Sequence, residues 1–501
     1  MAEQFIKFLL KLRNFPYLTR LPLLIYGVEP ANIHSAQMIE ADARSGYRVA
    51  GFISPSPDIL HRKISGKPVY FKDNFYNSIR KFHYVKAILI RPEELSRAEK
   101  HLLAGICFHN KIELLAVPSP ERCKGKKNIR EIQPATIEDL LGRSPIEIDF
   151  ATIGENLKGK GILVTGAAGS VGSEMVSQLC RFDPGLLLLC DIAETPLHRL
   201  GLDLKNAFPD VKFKTIIADI RNKDKMEYIF STHRPHYVYH AAAYKHVPMM
   251  ESHPDEAVLT NVMGSKIVAD LAVAYGTECF IMISSDKAVN PSSVMGASKR
   301  IAEIYIQALS GHLQKESKGN PPAIRFITAR FGNVLGSGGS VVPLFEKQIR
   351  EGGPVTVTDI RIIRYFMTIP EACGLVLEAS NLGKGGEIFI FDMGDPVRIK
   401  DMAEEMIRLS GYKPCEEIEI QYTGLRPGEK LFEELLYDRE TCKPTKNRKI
   451  RIVTVCEQDI HKVLPLLNRL FEVSHACNNR EIIKVMKQIV PEFTPYRGTF
   501  R

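Results

Sequence analysis

Three glycines spaced as Gly166-Ala-Ala-Gly169-Ser170-Val171-Gly172 follow the apolar run Gly161-Ile-Leu-Val-Thr165. A glycine turn that opens a helix directly after a strand leaves backbone N–H groups unblocked at the helix N-terminus. A pyrophosphate can sit there, and the missing side chains permit its close approach. Alone the spacing is a weak signal, because packing also produces glycine-rich turns. The next apolar run, Leu186-Leu-Leu-Leu-Cys-Asp191, ends in a carboxylate about 20 residues past the last glycine. A carboxylate at that point accepts both ribose hydroxyls of a dinucleotide and repels a 2′-phosphate, which favours NAD over NADP. Read locally, Asp191 would merely cap the helix after it. Asp219 closes a third apolar run and is a candidate for the adenine edge, an ordinary turn aspartate being the other reading.

A second cluster reads Ser284-Ser285-Asp286-Lys287-Ala-Val-Asn290-Pro291-Ser-Ser-Val-Met295-Gly-Ala-Ser-Lys299. Residues four apart share one helix face, so Met295 and Lys299 belong together. A thioether has no exchangeable proton, so Met295 cannot deprotonate a hydroxyl, and acid/base work falls to Asp286 and Lys287. An adjacent Lys/Asp pair, shifted in protonation by mutual contact and burial, can supply both a base and an acid. In an isolated segment Met295 would read as core and Lys299 as solvated surface.

The elements that must hold these residues form two βαβ series. From Leu21, β-like runs (21–27, 47–53, 85–90, 112–117) alternate with helical stretches (31–44, 92–108), so residues 21–118 predict a small doubly wound α/β domain. Its first turn reads Gly27-Val-Glu-Pro-Ala-Asn32, whose single glycine and Pro30 do not suit a pyrophosphate. A basic connection over 119–135 and a short amphipathic stretch, 137–141, precede a boundary near residue 150. The second series runs through 161–165, 186–191, 213–219, 237–243, 280–285 and 324–330, each apolar on both faces as buried parallel strands require. A Gly/Pro-punctuated mixture after Gly336 is the expected substrate lobe, ending near residue 440. A basic loop (443–449) and a helical tail (457–490) complete the chain. The expected fold class is thus α/β, with two Rossmann-like doubly wound parallel-sheet domains: residues 1–150, degenerate, and 151–440, with a smaller C-terminal substrate lobe, followed by 441–501.

Composition agrees with a folded protein: 501 residues, 45% hydrophobic and 25% charged, with 35 Gly and 30 Pro, exclude collagen, coiled coil and wholesale disorder. Ten cysteines without a CxxC pair predict reduced core thiols and no metal site. Of the net charge of +9, residues 1–150 carry +7, from 23 Lys/Arg against 16 Asp/Glu. Without a base-reading motif, nucleic acid is not an expected partner. Residues 5–20 place Phe5, Ile6, Phe8, Leu9, Leu10 and Leu12 beside Lys7, Lys11, Arg13 and Arg20. That mix suits either weak attraction to anionic lipid or an amphipathic helix packed on its own domain. No run of about 18 apolar residues and no signal-peptide pattern is present, so the expected location is the cytoplasm, with peripheral contact at the inner face of its membrane.

Several separated motifs occur in order: Gly166-Ala-Ala-Gly169-Ser-Val-Gly172-Ser-Glu174, Ala241-Ala-Ala-Tyr-Lys-His-Val-Pro248, Ser285-Asp-Lys287 with Met295-Gly-Ala-Ser-Lys299, Arg330-Phe-Gly-Asn-Val-Leu-Gly336, and Leu425-Arg-Pro-Gly-Glu-Lys430. Over about residues 155–440 the chain resembles the extended short-chain dehydrogenase/reductases, and among them the nucleotide-sugar 4,6-dehydratases of bacterial polysaccharide and glycan biosynthesis. It is similar to their long-chain subgroup without the membrane segment that precedes the degenerate domain there. The wider superfamily carries Tyr-x-x-x-Lys where this chain has Met295-x-x-x-Lys299.

The resemblance implies a recycled NAD held by Gly166, Gly169, Ser170, Val171, Gly172, Asp191, Asp219, Ile220, Ala241, Ala242 and Lys299. It implies a UDP-sugar, UDP-N-acetylglucosamine above all, near Lys245, Asn333, Arg364, Arg426 and Glu429, in a homo-oligomeric enzyme. Catalysis would rest on Ser285, Asp286, Lys287, Met295 and Lys299, with Lys287 as base toward C5–H and Asp286 as acid toward the C6 hydroxyl. The alternatives are a UDP-sugar 4-epimerase, which Met295 argues against, and a non-catalytic dinucleotide-sensing regulator.

Overall fold

The computed structural model describes residues 20–42, 45–59, 62–82, 84–117, 132–141, 148–317, 323–434, 441–454 and 458–496. The amphipathic stretch expected over 5–20, apart from Arg20, and most of the basic connection 119–135 lie outside the described residues. The chain divides into two compact units: residues 1–145 with 351–354 and 402–420, and residues 146–350 with 355–401 and 421–501.

In the first unit the completely buried Leu23, Leu24, Ile25, Ala87 and Ile88 make two central strands that need cover on both faces. Leu21–Tyr26 lies between Tyr47–Ser54 and Ala87–Ile90, with Lys67–Phe71 and Glu113–Ala116 outside them, all parallel. Short antiparallel strands, Lys63–Ile64 and Gln133–Pro134, edge this seven-stranded sheet. After the first strand Gly27 takes a φ of +99°, and Asn32 fills the turn, donating to Glu29 at 2.9 Å and Glu94 at 2.6 Å. Two carboxylates thus stand at the start of helix Pro30–Ala41, where a phosphate would require free N–H groups.

The second unit is built on a nine-stranded sheet. Its spatial order is Phe213–Ile217, Leu186–Asp191, Gly161–Thr165, Tyr237–His240, Cys279–Ser285, Arg325–Phe331, Glu387–Phe391, Ile450–Thr454, Thr441–Pro444. The first seven are parallel and the last two antiparallel. Central residues such as Leu163, Val164, Phe280 and Ile327 are fully buried, and apolar clusters cover both faces. On one face lies Val294–Glu316; on the other lie Ser170–Leu179 and Ile369–Leu382. The run Pro254–Ala274, with mean hydropathy 1.4, is long and apolar enough by composition to cross a membrane; 61% of its most apolar window is buried within this fold.

Three features refine the expectation. The basic loop expected over 443–449 is the turn between two strands, Thr441–Pro444 and Ile450–Thr454, the first of which takes in Lys443 and Pro444; Ile450 and Val453 are buried and anchor the inner strand. The helical tail, Ile460–His475 and Asn479–Ile489, is part of the main core through Val463, Leu467, Leu470, Ile482 and Met486. Cys107, Cys180, Cys190, Cys279 and Cys373 are buried thiols, whereas Cys415 and Cys477 are exposed and Cys442 is half-buried.

Candidate active site

At the C-terminal ends of the second unit's parallel strands lies a cleft of about 670 Å³, where open α/β sheets bind ligands. Its first wall is the glycine turn. Gly166 has a φ of +66°, and a Cβ there would meet Ala242 N at 2.7 Å. A Cβ on Gly172 would lie 2.0 Å from Gly166 O. Both positions therefore require glycine. Helix Ser170–Leu179 starts after Gly169 with no side-chain cap, the arrangement in which leading N–H groups can receive an anion.

The candidate catalytic cluster is positioned by one close approach. Ser293 Oγ accepts the Gly296 N–H at 3.1 Å and caps helix Val294–Glu316, in which a Cβ at residue 296 would lie 2.1 Å from Lys287 O. Gly296 thus seats the short turn Asp286–Ala288 directly on the helix that carries Met295 and Lys299. Lys287 Nζ donates to Asp286 Oδ1 at 2.9 Å and Asn333 Oδ1 at 3.0 Å, and stands 3.8 Å from Glu433 Oε1. Burial acts to lower the Lys287 pKa, but Asp286 and Glu433 outweigh it and hold the amine above the ordinary lysine value. Burial lowers Lys299 to about 8 against the pull of Glu303. Glu303, one turn further on, accepts from Ser284, Arg330 and Arg300 and is fully buried.

Gly166, Gly169, Ser170, Val171, Gly172, Ala241, Lys245, Ser285, Lys287, Met295, Lys299, Asn333, Arg364, Arg426 and Glu429 all line the cleft. Five expected site residues do not. Asp286 is 2% exposed and accepts from Ser285 Oγ and Lys287 Nζ, so it faces its neighbours rather than the cleft. Asp191 accepts the Ala168 and Ala193 N–H groups, each at 2.9 Å, bracing the glycine turn while also holding the start of the next helix. Asp219 is engaged by Arg221 at 2.8 Å. Ile220 is buried against Gly264, and Ala242 contributes only its backbone beside Gly166. Arg364 lines the cleft, yet its guanidinium donates to the carbonyls of Ile363, Lys430 and Leu431. It therefore braces the 425–434 loop instead of offering a free fork to a diphosphate. Arg426, more open, pairs with Glu429 at 3.2 Å.

Among the cleft residues given no role in the sequence reading are Lys430 and Glu433. Lys430 reaches Val289 O at 3.1 Å, and Glu433 lies beside Lys287 and Arg364. The available signal was the 425–430 motif, which stops short of Glu433.

A family model described as polysaccharide biosynthesis protein matches residues 162–455. The chain belongs to that family. The probable polysaccharide biosynthesis protein EpsC of Bacillus subtilis is 43% identical over 416 residues, covering 82% of this chain and 67% of that protein. The capsular polysaccharide biosynthesis protein CapD of Staphylococcus aureus is 46% identical over 364 residues, covering 72% of this chain and 59% of that protein. The chain thus spans 67% and 59% of the length of these two relatives. A UDP-glucose 4-epimerase of Rickettsia massiliae is 33% identical over 288 residues, covering 57% of this chain and 80% of that protein. In this polysaccharide biosynthesis protein the family match contains every residue that lines the cleft.

Proposed function

We propose that this chain catalyses the NAD-dependent 4,6-dehydration of a UDP-sugar, UDP-N-acetylglucosamine being the favoured substrate, to a 4-keto-6-deoxy sugar nucleotide. The observation that carries the proposal is the pairing, in one cleft, of a dinucleotide-type glycine turn with Lys287 and with Met295 at the position where a proton-bearing side chain would serve a simple alcohol oxidation. The turn fits NAD: two glycines without room for a Cβ, an uncapped helix start, and Lys299 at the cleft wall. Bound there, NAD supplies reversible oxidation of a secondary alcohol.

The side chains supply the proton chemistry. A ketone at C4 acidifies C5–H. Lys287 rests as an ammonium, so it acts as a base only after its proton has passed along the 2.9 Å contact to Asp286. It can then take the C5 proton as water leaves C6, and deliver a solvent-exchanged proton to C5 when C6 is reduced. Asn333, hydrogen-bonded to Lys287, keeps the amine on the cleft side.

The epimerase relative supports a second reading, in which C4 is oxidised and then reduced from the other face. That chemistry must hand a proton back to the C4 oxygen, and Met295 has none to give. Incubation with UDP-N-acetylglucosamine and mass analysis decides between them: the dehydratase removes one water, whereas an epimerase leaves the mass unchanged.

A further inference from the structure

Glu433 is the cleft carboxyl that neither the motifs nor the scheme above employs. Its side chain is 4% exposed, with Oε1 3.8 Å from Lys287 Nζ and 3.9 Å from an Arg364 terminal nitrogen. Oε2 is buried and has no hydrogen-bond partner among the described residues. A buried acceptor left unpaired costs about 1–3 kcal/mol, so an oxygen in this state on a ligand cleft marks the place of a ligand's hydrogen-bond donor.

The dehydration leaves one role unfilled. Oxidation at C4 releases the proton of the C4 hydroxyl, and departure of water from C6 consumes one proton at the C6 oxygen. One proton leaves C5 and one is delivered back to it, so C5 does not enter this balance. Met295 cannot accept the first proton, and Asp286, bonded to Ser285 and Lys287 and absent from the cleft wall, is not placed to deliver the second.

We propose that Glu433 carries the proton from the C4 oxygen to the C6 oxygen, an inference that rests on the dehydratase reading. As a carboxylate, Glu433 takes the C4 hydroxyl proton while C4 is oxidised by the bound dinucleotide. Lys287 then removes the C5 proton, the C5–H electron pair becomes the C5–C6 double bond, and the C6–O bond breaks with its electrons. Glu433 protonates that departing oxygen, water leaves, and the carboxylate is restored for the next cycle. The surroundings suit a group that works in both forms. Burial raises the Glu433 pKa, Lys287 opposes it, Asp286 adds to the rise, and Arg364 and Lys430 pull it back.

The test compares the full chain with Glu433→Gln and Glu433→Asp, using UDP-N-acetylglucosamine as substrate. The readouts are water loss by mass spectrometry, kcat from acid to neutral pH, NAD affinity and thermal unfolding. Glu433→Gln is expected to lower kcat by about 10²–10⁴-fold and to remove the acid-side fall in rate, with NAD affinity and unfolding temperature unchanged. Glu433→Asp, which keeps a carboxyl, should recover about tenfold or more of that loss and keep the acid-side fall. A glutamine variant with near-normal turnover, or with the acid-side fall intact, overturns the proposal. So does loss of folding or NAD binding in both variants, which makes Glu433 structural. If the unsubstituted chain removes no water, the dehydratase reading itself fails, an outcome separate from failure of Glu433 alone.

Discussion

Lys287 donates to Asp286 Oδ1 at 2.9 Å, and the two residues face different ways: Lys287 lines the cleft, whereas Asp286 is buried behind it. In the proposed dehydration the aspartate governs when the lysine is free to act as a base. Lys287→Ala should suppress solvent deuterium incorporation at C5 and lower turnover by about 10²–10⁴-fold, while NAD affinity stays nearly unchanged. Asp286→Asn, which cannot take up the Lys287 proton, should do the same. Calorimetry with NAD alongside mass analysis of the sugar in heavy water separates the two effects.

Met295 is 3% exposed and belongs to the apolar cluster beneath the cleft as well as to its wall. Met295→Ala removes no proton donor, so its kcat should fall by less than about tenfold, far less than for Lys287→Ala. The same variant should lose about 2–5 kcal/mol of stability through the cavity it leaves, measurable by denaturant unfolding.

Asp191 braces the glycine turn through the Ala168 N–H. Asp191→Ala should weaken NAD by about 1–3 kcal/mol, combining a loosened turn with loss of the ribose contact proposed for this carboxylate. Titration of NAD against the full-length variant checks this, and an unchanged affinity would remove Asp191 from the cofactor site.

Glu303 sets an acid limit on the second unit. Burial acts to raise its pKa, but Arg330, Arg300 and Ser284 outweigh that and hold it at about 2. A carboxylate depressed in the folded state contributes stability that is complete above its unfolded value of about 4.3 and disappears as pH falls toward 2. The contribution is on the order of 3 kcal/mol. Glu303→Gln should flatten the fall in unfolding free energy between pH 5 and pH 2 (a window taken from about 4.3 and about 2). It should also cost about 3–5 kcal/mol at neutral pH by removing the carboxylate that faces the buried Arg330 and Arg300.

Six parallel strands of the second unit were legible as apolar runs, five of them buried on both faces and the edge strand Phe213–Ile217 largely exposed. Glu387–Phe391, which joins the same sheet, was hidden within a Gly/Pro-rich stretch. Thr441–Pro444 was unreadable as a strand because an edge position tolerates the lysine, proline and exposed surface that mark a loop. The glycine turn and the Lys287 cluster were legible from residue type and spacing. The inward turn of Asp286 was not: adjacent residues on a tight turn point in different directions, and only packing decides which one faces the cleft. Glu433 escaped for a related reason. Its contacts with Lys287 and Arg364 join segments far apart in the chain, and that juxtaposition belongs to the fold.

The most direct test of the central claim is one incubation of the chain with NAD and UDP-N-acetylglucosamine in heavy water, followed by mass analysis of the sugar nucleotide. The account predicts loss of one water and gain of one solvent deuterium at C5. A product of unchanged mass with inverted configuration at C4 and no deuterium at C5 would contradict it and establish the epimerase reading.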